Sequence, residues 1–137
     1  RLYAVVEEPK VIPDHEGEDG VYVVARLSNG VTGIVHYSGG TQVNVPFELI
    51  RLTGTKGVIS FAPMGSNLTL DTRESNQDIS VEPSRRGVRH MMREFQSCII
   101  ENREPVMSGS EATKHVAVVL AAYESASLGK EVQVPQL

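Results

Sequence analysis

The fold class is decided by the stretch ISVEPSRRGVRHMMREFQSCIIEN, residues 79–102. Before residue 82 the chain is rich in Val, Ile, Thr and Tyr and is broken by Gly, Pro, Asn and Asp, which is typical of strands and turns. Beyond Pro83 the apolar residues recur with the period of about 3.6 that places them on one stripe of a helix. That stripe contains Val88, Met91, Met92, Phe95, Cys98 and Ile99. The pattern predicts a helix from about Gly87 to Asn102.

The strand-forming part contains turn signals between its apolar runs. Asn29-Gly30 is a strong signal for a hairpin with a type I′ turn, in which both central residues need a positive φ angle. The acidic stretch Asp14–Gly20 is interpreted as a loop, and Gly39-Gly40 as a turn or bulge. Gly54-Thr55-Lys56-Gly57 is interpreted as a tight β-turn. The predicted strands are Leu2–Glu8, Val21–Ser28, Val31–Ser38, Pro46–Thr53, Gly57–Phe61, Asn67–Asp71 and Ile79–Glu82.

A second helix and a final strand are predicted after Pro105. Ser108 and Glu111 have the spacing of a capping box, in which both side chains satisfy free amides at a helix start. Gly129 suits the left-handed position after a helix, and Glu131–Val134 is predicted as the last strand. Strands followed by segregated helices predict an α+β fold. We expect a large open, mainly antiparallel sheet with two C-terminal helices packed on one face.

The size and charge of the chain exclude several classes of protein. Its 137 residues suit one domain, and its net charge of −4 argues against a nucleic-acid binder, which normally presents a basic face. Cys98 is the one cysteine, so an intrachain disulfide and a multi-cysteine metal site are excluded. No apolar stretch approaches the roughly 18 residues that a membrane span needs. We expect a cytoplasmic protein with no nucleic-acid or membrane partner.

Some strands carry apolar residues on both faces. In the strand Val21–Ser28, Tyr22 and Val24 lie opposite the other apolar residues, and the strand Pro46–Thr53 is also apolar on both sides. Two helices cover only one face of a wide sheet. We therefore predict that the second face contacts another protein surface, either a second copy or a missing domain. The alternatives are that loops cover this face or that the face is simply somewhat apolar.

No catalytic or metal-binding constellation can be assembled from the residues. The sequence has no dinucleotide-binding fingerprint and no phosphate-binding loop, and its histidines form no His-x-His or His-x-x-x-His pair. Glu111 and His115 are interpreted as a solvated helix pair, and the basic residues Arg85, Arg86 and Arg89 as solvated surface. Cys98 is expected to be a buried, inert thiol.

Several blocks of sequence together resemble one known family. They are residues 52–59 (LTGTKGVI), 95–106 (FQSCIIENREPV), 118–126 (VVLAAYESA), Ser108-Gly109, Gly129-Lys130 and Val134-Pro135. In order and spacing they are similar to the C-terminal part of the Gfo/Idh/MocA oxidoreductases, named for glucose–fructose oxidoreductase, inositol dehydrogenase and a rhizopine-catabolism protein. The resemblance covers essentially the whole chain.

The resemblance implies a place in a larger protein. In this family an N-terminal Rossmann domain binds NAD or NADP, and a C-terminal α+β domain helps to form the pocket for a sugar, cyclitol or related polyol. The open sheet of that domain often mediates oligomer contacts. We therefore expect residues 1–137 to be the C-terminal domain of a longer chain, with the Rossmann domain absent. By position in the family, His36, Tyr37, Thr41 and Gln42 are candidate substrate-binding residues.

The family's catalytic motifs do not occur in the chain. Neither its Glu-Lys-Pro motif nor its Asp-x-x-x-His motif is present, so no catalytic, cofactor-binding or metal-binding residue is assigned. The leading hypothesis is a substrate-pocket and oligomerisation domain of an NAD(P)-dependent oxidoreductase, inactive as a fragment. The alternative is a free-standing, non-catalytic binding or dimerisation module that reuses the fold.

Overall fold

The computed structural model describes residues 1–7, 17–39, 49–62, 67–81 and 87–136. The α+β class and the two C-terminal helices are confirmed, and every strand pairing is antiparallel. The strands and helices are β1 (Leu2–Val6), β2 (Gly20–Arg26), β3 (Thr32–Ser38), β4 (Ile50–Thr53), β5 (Val58–Phe61), β6 (Asn67–Asp71), β7 (Asn76–Ser80), α1 (Val88–Glu101) and α2 (Gly109–Leu128).

The described strands form two open sheets where one large sheet was expected. One sheet has the order β1-β2-β3 and the other the order β4-β5-β6-β7. Residues 40–48, between β3 and β4, lie outside the described residues, as do the first residues of the predicted strand Pro46–Thr53. The chain divides into two compact units, Arg1–Gln42 with Glu104–Leu137, and Val43–Arg103.

The β2–β3 hairpin differs from the predicted type I′ turn. Gly30 has a φ of 86°, but Asn29 is not among the described residues with positive φ. The Gly30 N–H donates to Leu27 O at 3.1 Å, and the Leu27 N–H donates to Val31 O at 2.8 Å. This is a three-residue loop with a left-handed glycine bulge, in which only the last loop residue needs positive φ. The prediction was wrong because Ser28 belongs to the loop and not to the strand.

The core of the first unit is made by small side chains on α2. Ala117, Ala121 and Ser125 recur at four-residue intervals and are all buried, as are Leu2 and Ala4 of β1. Because residues four apart lie on one helix face, this stripe lets the α2 backbone approach the sheet closely. The helix therefore packs over β1, on one face of the β1-β2-β3 sheet.

The free edge of β1 is closed by hydrogen bonds from two directions. Leu2 and Val132 exchange N–H···O bonds of 2.9 Å, so the predicted strand Glu131–Val134 is reduced to a single bridge. The Ala4 N–H donates to Ser125 Oγ at 2.9 Å, and Ser125 Oγ donates in turn to Lys130 O at 2.6 Å. One fully buried hydroxyl thus joins β1, α2 and the segment after the helix.

Both ends of α2 agree with the sequence. Ser108 Oγ accepts from the Glu111 N–H at 3.3 Å, and Gly129 has the left-handed φ of 63°. The Glu111 carboxylate accepts instead from Lys114 Nζ at 2.6 Å, a contact that lowers the pKa of Glu111. Only the serine half of the capping box is therefore observed among these contacts.

The sheet of the second unit has one apolar face. The strand register aligns one row of apolar residues across the four strands: Ile50, Phe61, Leu68 and Ile79. The adjacent row, which points to the opposite face, is polar: Arg51, Ser60, Thr69 and Asp78. The Gly54 N–H donates to Gly57 O at 2.9 Å, so residues 54–57 form the predicted tight connection between β4 and β5. β7 begins at Asn76, three residues before the predicted start at Ile79. The prediction missed these residues because they are polar and do not alternate with apolar ones.

Helix α1 ends in a network around one guanidinium group. Arg103 donates to both oxygens of Glu94, at 2.7 and 3.1 Å, and its Nε donates to Glu101 at 2.6 Å. This pairing holds the pKa of Glu94 below its ordinary value. The apolar stripe predicted on α1 is present, but Met91, Phe95 and Ile99 are exposed.

We predict that Ser125→Ala destabilises the first unit by about 1–3 kcal/mol, because it leaves a buried N–H and a partly buried carbonyl without their shared partner. Urea denaturation followed by circular dichroism measures the loss, and hydrogen exchange at the Ala4 amide should accelerate. Ser127→Ala is the matched control, since Ser127 is an exposed serine on the same helix. Equal stability of the two variants would contradict the role assigned to Ser125.

Candidate functional site

The sheet separates the two candidate residues that the structure describes. His36 and Tyr37 are neighbours on β3, so their side chains point to opposite faces. Tyr37 lies on the face covered by α2, and His36 lies on the other face, which we call the outer face. Thr41 and Gln42 lie outside the described residues. The structure therefore does not bring His36 and Tyr37 into one pocket.

On the α2 side, Tyr37 lines a cavity of about 390 Å³. The cavity lies where the helix, packed over β1, leaves the β2–β3 part of the face open. Its walls are mainly apolar side chains, contributed by both the sheet and the helix: Val6, Val21, Val23, Val35, Val118, Val119 and Ala122. This volume suits a small molecule, with the apolar walls contacting its carbon skeleton.

The polar groups of the cavity are Tyr37, Tyr123 and Glu18. The Tyr123 hydroxyl donates to Glu18 Oε2 at 2.9 Å, and this hydrogen bond and the carboxylate charge raise the pKa of Tyr123. A Cβ on Gly39 would lie 3.0 Å from Tyr37 Oη, so the glycine leaves room for the phenol. These groups offer hydroxyl donors and a carboxylate acceptor, which can orient a ligand by hydrogen bonds.

A second cluster lies on the outer face and joins Glu7, Tyr22 and His36. The rings of Tyr22 and His36 are directly opposite in the β2–β3 register and stack with centroids 4.3 Å apart. His36 Nε2 lies 3.9 Å from Glu7 Oε1. A hydrogen bond to Glu7 raises the pKa of Tyr22. An added Cβ on Gly20 would lie 2.0 Å from Glu7 Oε2, so a larger residue there would displace the Glu7 carboxylate from this cluster.

Glu7, Tyr22, Glu18 and Tyr123 were not predicted as site residues. The Tyr22–His36 pair follows from the hairpin register once the loop length is known. The Glu18–Tyr123 contact joins residues 105 positions apart, and no local sequence signal carries it.

The remaining candidates behave as structural groups in the described part of the chain. Cys98 is 6% exposed and therefore buried as predicted, and burial, followed by its hydrogen bond to Glu94, raises the pKa of its thiol, which disfavours the reactive thiolate. The described residues contain no cluster of three or more His, Cys, Asp or Glu that could hold a metal ion. None of the described helices is long and apolar enough to span a membrane. Arg85 and Arg86 lie outside the described residues.

The two Tyr–Glu pairs predict selective effects on phenol ionisation. Glu7→Gln should lower the pKa of Tyr22 toward its ordinary value of 10.0, because the variant weakens the hydrogen bond that the phenol makes to the carboxylate and removes the negative charge that disfavours the phenolate. Glu18→Gln is the matched variant and should lower the pKa of Tyr123 instead. NMR titration of ¹³Cζ-labelled tyrosine through alkaline pH measures both values. A variant that shifts neither tyrosine, or both equally, would contradict the assigned pairs.

Comparison with known proteins gives one family. The sequence profile of the Gfo/Idh/MocA oxidoreductases, described as the oxidoreductase family's C-terminal alpha/beta domain, matches residues 3–134. No curated protein matches the chain.

Solved structures of oxidoreductases have the same fold. An oxidoreductase from Agrobacterium radiobacter, in complex with NAD+, L-tartaric acid and magnesium, is 26% identical with a TM-score of 0.79, over 97% of this chain and 42% of that one. Aldose-aldose oxidoreductase from Caulobacter crescentus, complexed with glycerol, is 21% identical with a TM-score of 0.79, over 96% and 40%. Levoglucosan dehydrogenase with NADH and levoglucosan is 19% identical with a TM-score of 0.81, over 99% and 45%.

The chain therefore spans less than half the length of these proteins. The family profile, in contrast, covers nearly all of the chain itself. The chain belongs to the Gfo/Idh/MocA oxidoreductase family, and it corresponds to the family's C-terminal alpha/beta domain.

Proposed function

We propose that the chain is the substrate-pocket and oligomerisation domain of a longer NAD(P)-dependent oxidoreductase that acts on a sugar, cyclitol or related polyol. The observation that carries this proposal is the family match over residues 3–134, together with NAD(H)-bound relatives that are more than twice as long. An N-terminal Rossmann domain would supply the missing length. The single, free cysteine supports a cytoplasmic location.

The residues of this chain do not fit the nicotinamide cofactor. The sequence has no glycine-rich turn before a helix, which is the feature that holds a pyrophosphate. The α2-side cavity is lined by valines and carries the Glu18 carboxylate, which would repel a pyrophosphate. We therefore assign the cofactor and the hydride transfer to the N-terminal domain of the longer protein.

The α2-side cavity is the better candidate for contact with substrate. Tyr37 and Tyr123 offer phenol groups, and Glu18 offers an acceptor for a substrate hydroxyl. Valine walls suit the C–H faces of a ring. Of the residues proposed from the sequence, Tyr37 is the one that this geometry supports, and its role in the longer protein is to orient the substrate and not to transfer a proton or hydride.

The outer face is the candidate oligomerisation surface. Its centre holds Tyr22, Val24 and Ile34, which are 44%, 45% and 73% exposed, with Tyr3 and Val5 beside them on β1. Neighbouring apolar side chains exposed on a flat sheet are typical of a surface that a partner covers. We propose that the partner is a second copy of the chain.

We predict that the isolated chain binds neither NAD+ nor NADP+ in isothermal titration calorimetry. Levoglucosan dehydrogenase, which has been solved with NADH, is a suitable positive control. Micromolar binding of either cofactor by the isolated chain would contradict the assignment of the cofactor to the N-terminal domain and would indicate a cofactor site within this chain.

We predict that Tyr22→Asp raises the dissociation constant of the self-associated chain by about 10-fold or more, because it places a charge at the centre of an apolar interface. Sedimentation equilibrium measures the change. Leu120→Asp is the control, since it alters an exposed apolar residue on α2, away from the outer face. A monomeric wild-type chain at high concentration, or equal weakening by both variants, would count against the outer face as the interface.

A further inference from the structure

We propose that Glu18 makes the α2-side cavity selective by charge, so that the cavity admits neutral or amino-bearing sugars and polyols and excludes those that carry a carboxylate or a phosphate. This inference rests on the proposed substrate pocket and narrows its class of substrate. Three observations carry it: the charges around the cavity, the position of Glu18 at the rim, and the hydrogen bond that holds its carboxylate there.

The described lining of the cavity has one charged side chain, and that side chain is acidic. Apart from Glu18, the lining consists of apolar side chains, a glycine and the phenols of Tyr37 and Tyr123. Proteins bind carboxylates and phosphates through Arg, Lys or the free N–H groups at the start of a helix. No described Arg, Lys or His lines this cavity. Within the described part of the chain, an anionic ligand would therefore meet a carboxylate with no cation beside it.

Helix α2 supplies no compensating positive group at the cavity. It begins at Gly109, and Val118, the first of its residues in the lining, lies about 13 Å further along the helix axis. The positive end of a helix dipole acts mainly within the first turn. Lys114 lies one turn before Val118 but is paired with Glu111 at 2.6 Å, and the neighbouring His115 does not line the cavity. Among the described residues, the helix thus leaves the charge of Glu18 to act on a ligand.

Glu18 is held at the mouth of the cavity by a hydrogen bond from the helix. Glu18 and Tyr123 both line the cavity and are both exposed, so they lie at its rim. The Tyr123 hydroxyl donates to Glu18 Oε2 at 2.9 Å, and this bond raises the pKa of Tyr123, so the phenol stays protonated as a donor at neutral pH. A carboxylate can accept about four hydrogen bonds. The contact therefore leaves acceptor sites for a ligand hydroxyl or ammonium group.

The size of the effect follows from this position. Apolar walls strengthen the interaction between charges in contact, whereas the exposure of Glu18 to water weakens it. Salt screens charges that are more than about 8 Å apart at physiological ionic strength, so Glu18 acts mainly on a ligand inside the cavity. We expect a preference of about 10-fold for a neutral sugar over its carboxylate analogue, and a gain of about 3-fold for its ammonium analogue.

Three sugars that differ only at carbon 6 test this selectivity. Glucose is neutral there, 6-amino-6-deoxyglucose carries an ammonium group, and glucuronate carries a carboxylate. NMR titration of the valine methyl groups of the 137-residue chain measures binding. The methyls of Val35, Val118 and Val119 in the cavity should shift, whereas those of Val24 on the outer face should not. The dissociation constant should be about 10-fold higher for glucuronate than for glucose, and about 3-fold lower for the amino sugar.

Glu18→Gln removes the charge but keeps the hydrogen bond, because an amide oxygen can still accept from Tyr123. In this variant the three sugars should bind with dissociation constants within about 3-fold of one another. Glu124→Gln is the matched control. Glu124 follows Tyr123 on α2, is exposed and does not line the cavity, so this variant changes the net charge equally but should keep the wild-type order of the three sugars.

The outcomes separate this inference from the proposed function. Discrimination that is lost in Glu18→Gln and kept in Glu124→Gln supports selection by Glu18. If glucose and glucuronate shift the cavity methyls of the wild-type chain with equal dissociation constants, the charge selectivity is overturned while the pocket stands. The same holds if discrimination survives Glu18→Gln or is lost equally in both variants. If none of the three sugars shifts the cavity methyls, the pocket and its selectivity are overturned together.

Discussion

The first unit depends on satisfying the free edge of β1. A strand at the edge of a sheet leaves backbone N–H and C=O groups without strand partners, and such groups are costly when they are buried. Here the bridge to Val132 and the Ser125 hydroxyl provide those partners. Ser125 reaches the strand because Ala117 and Ala121 on the same stripe are small. A larger residue at any of these positions would lift α2 away from β1.

The position of α2 over β1 has a direct effect on the candidate site. Since the helix packs closely on the edge strand, the valines of β2 and β3 extend beyond it and line an open cavity. The Glu18–Tyr123 hydrogen bond lies at this cavity and joins the segment before β2 to the helix. The same packing that protects the strand edge therefore creates the space in which a ligand can bind.

The spacing of the apolar residues and the positions of the turn and capping residues predict most of the fold. The positions of β1–β3, β5 and β6, both helices, the left-handed Gly129 and the buried thiol of Cys98 agree with the structure, because each depends on local chemistry. The predicted type of the β2–β3 turn disagrees with the structure, since Ser28 can belong to a strand or to a loop. The start of β7 was missed because its polar residues do not alternate with apolar ones. Most of the candidate site could not be predicted from local sequence patterns, since Glu18 and Tyr123 come into contact only in the folded chain.

The alternation along β2 and β3 has a consequence for how such a domain can evolve. Val21, Val23, Val35 and Tyr37 face the cavity, whereas Tyr22, Val24, Ile34 and His36 face outward. Consecutive residues along each strand therefore contribute side chains to opposite faces of the same sheet. Substitutions at one set can reshape the cavity while the other surface keeps its composition, and the reverse is equally true. Under the proposed function, a lineage of such domains can thus diversify in ligand preference and in assembly as two nearly independent traits.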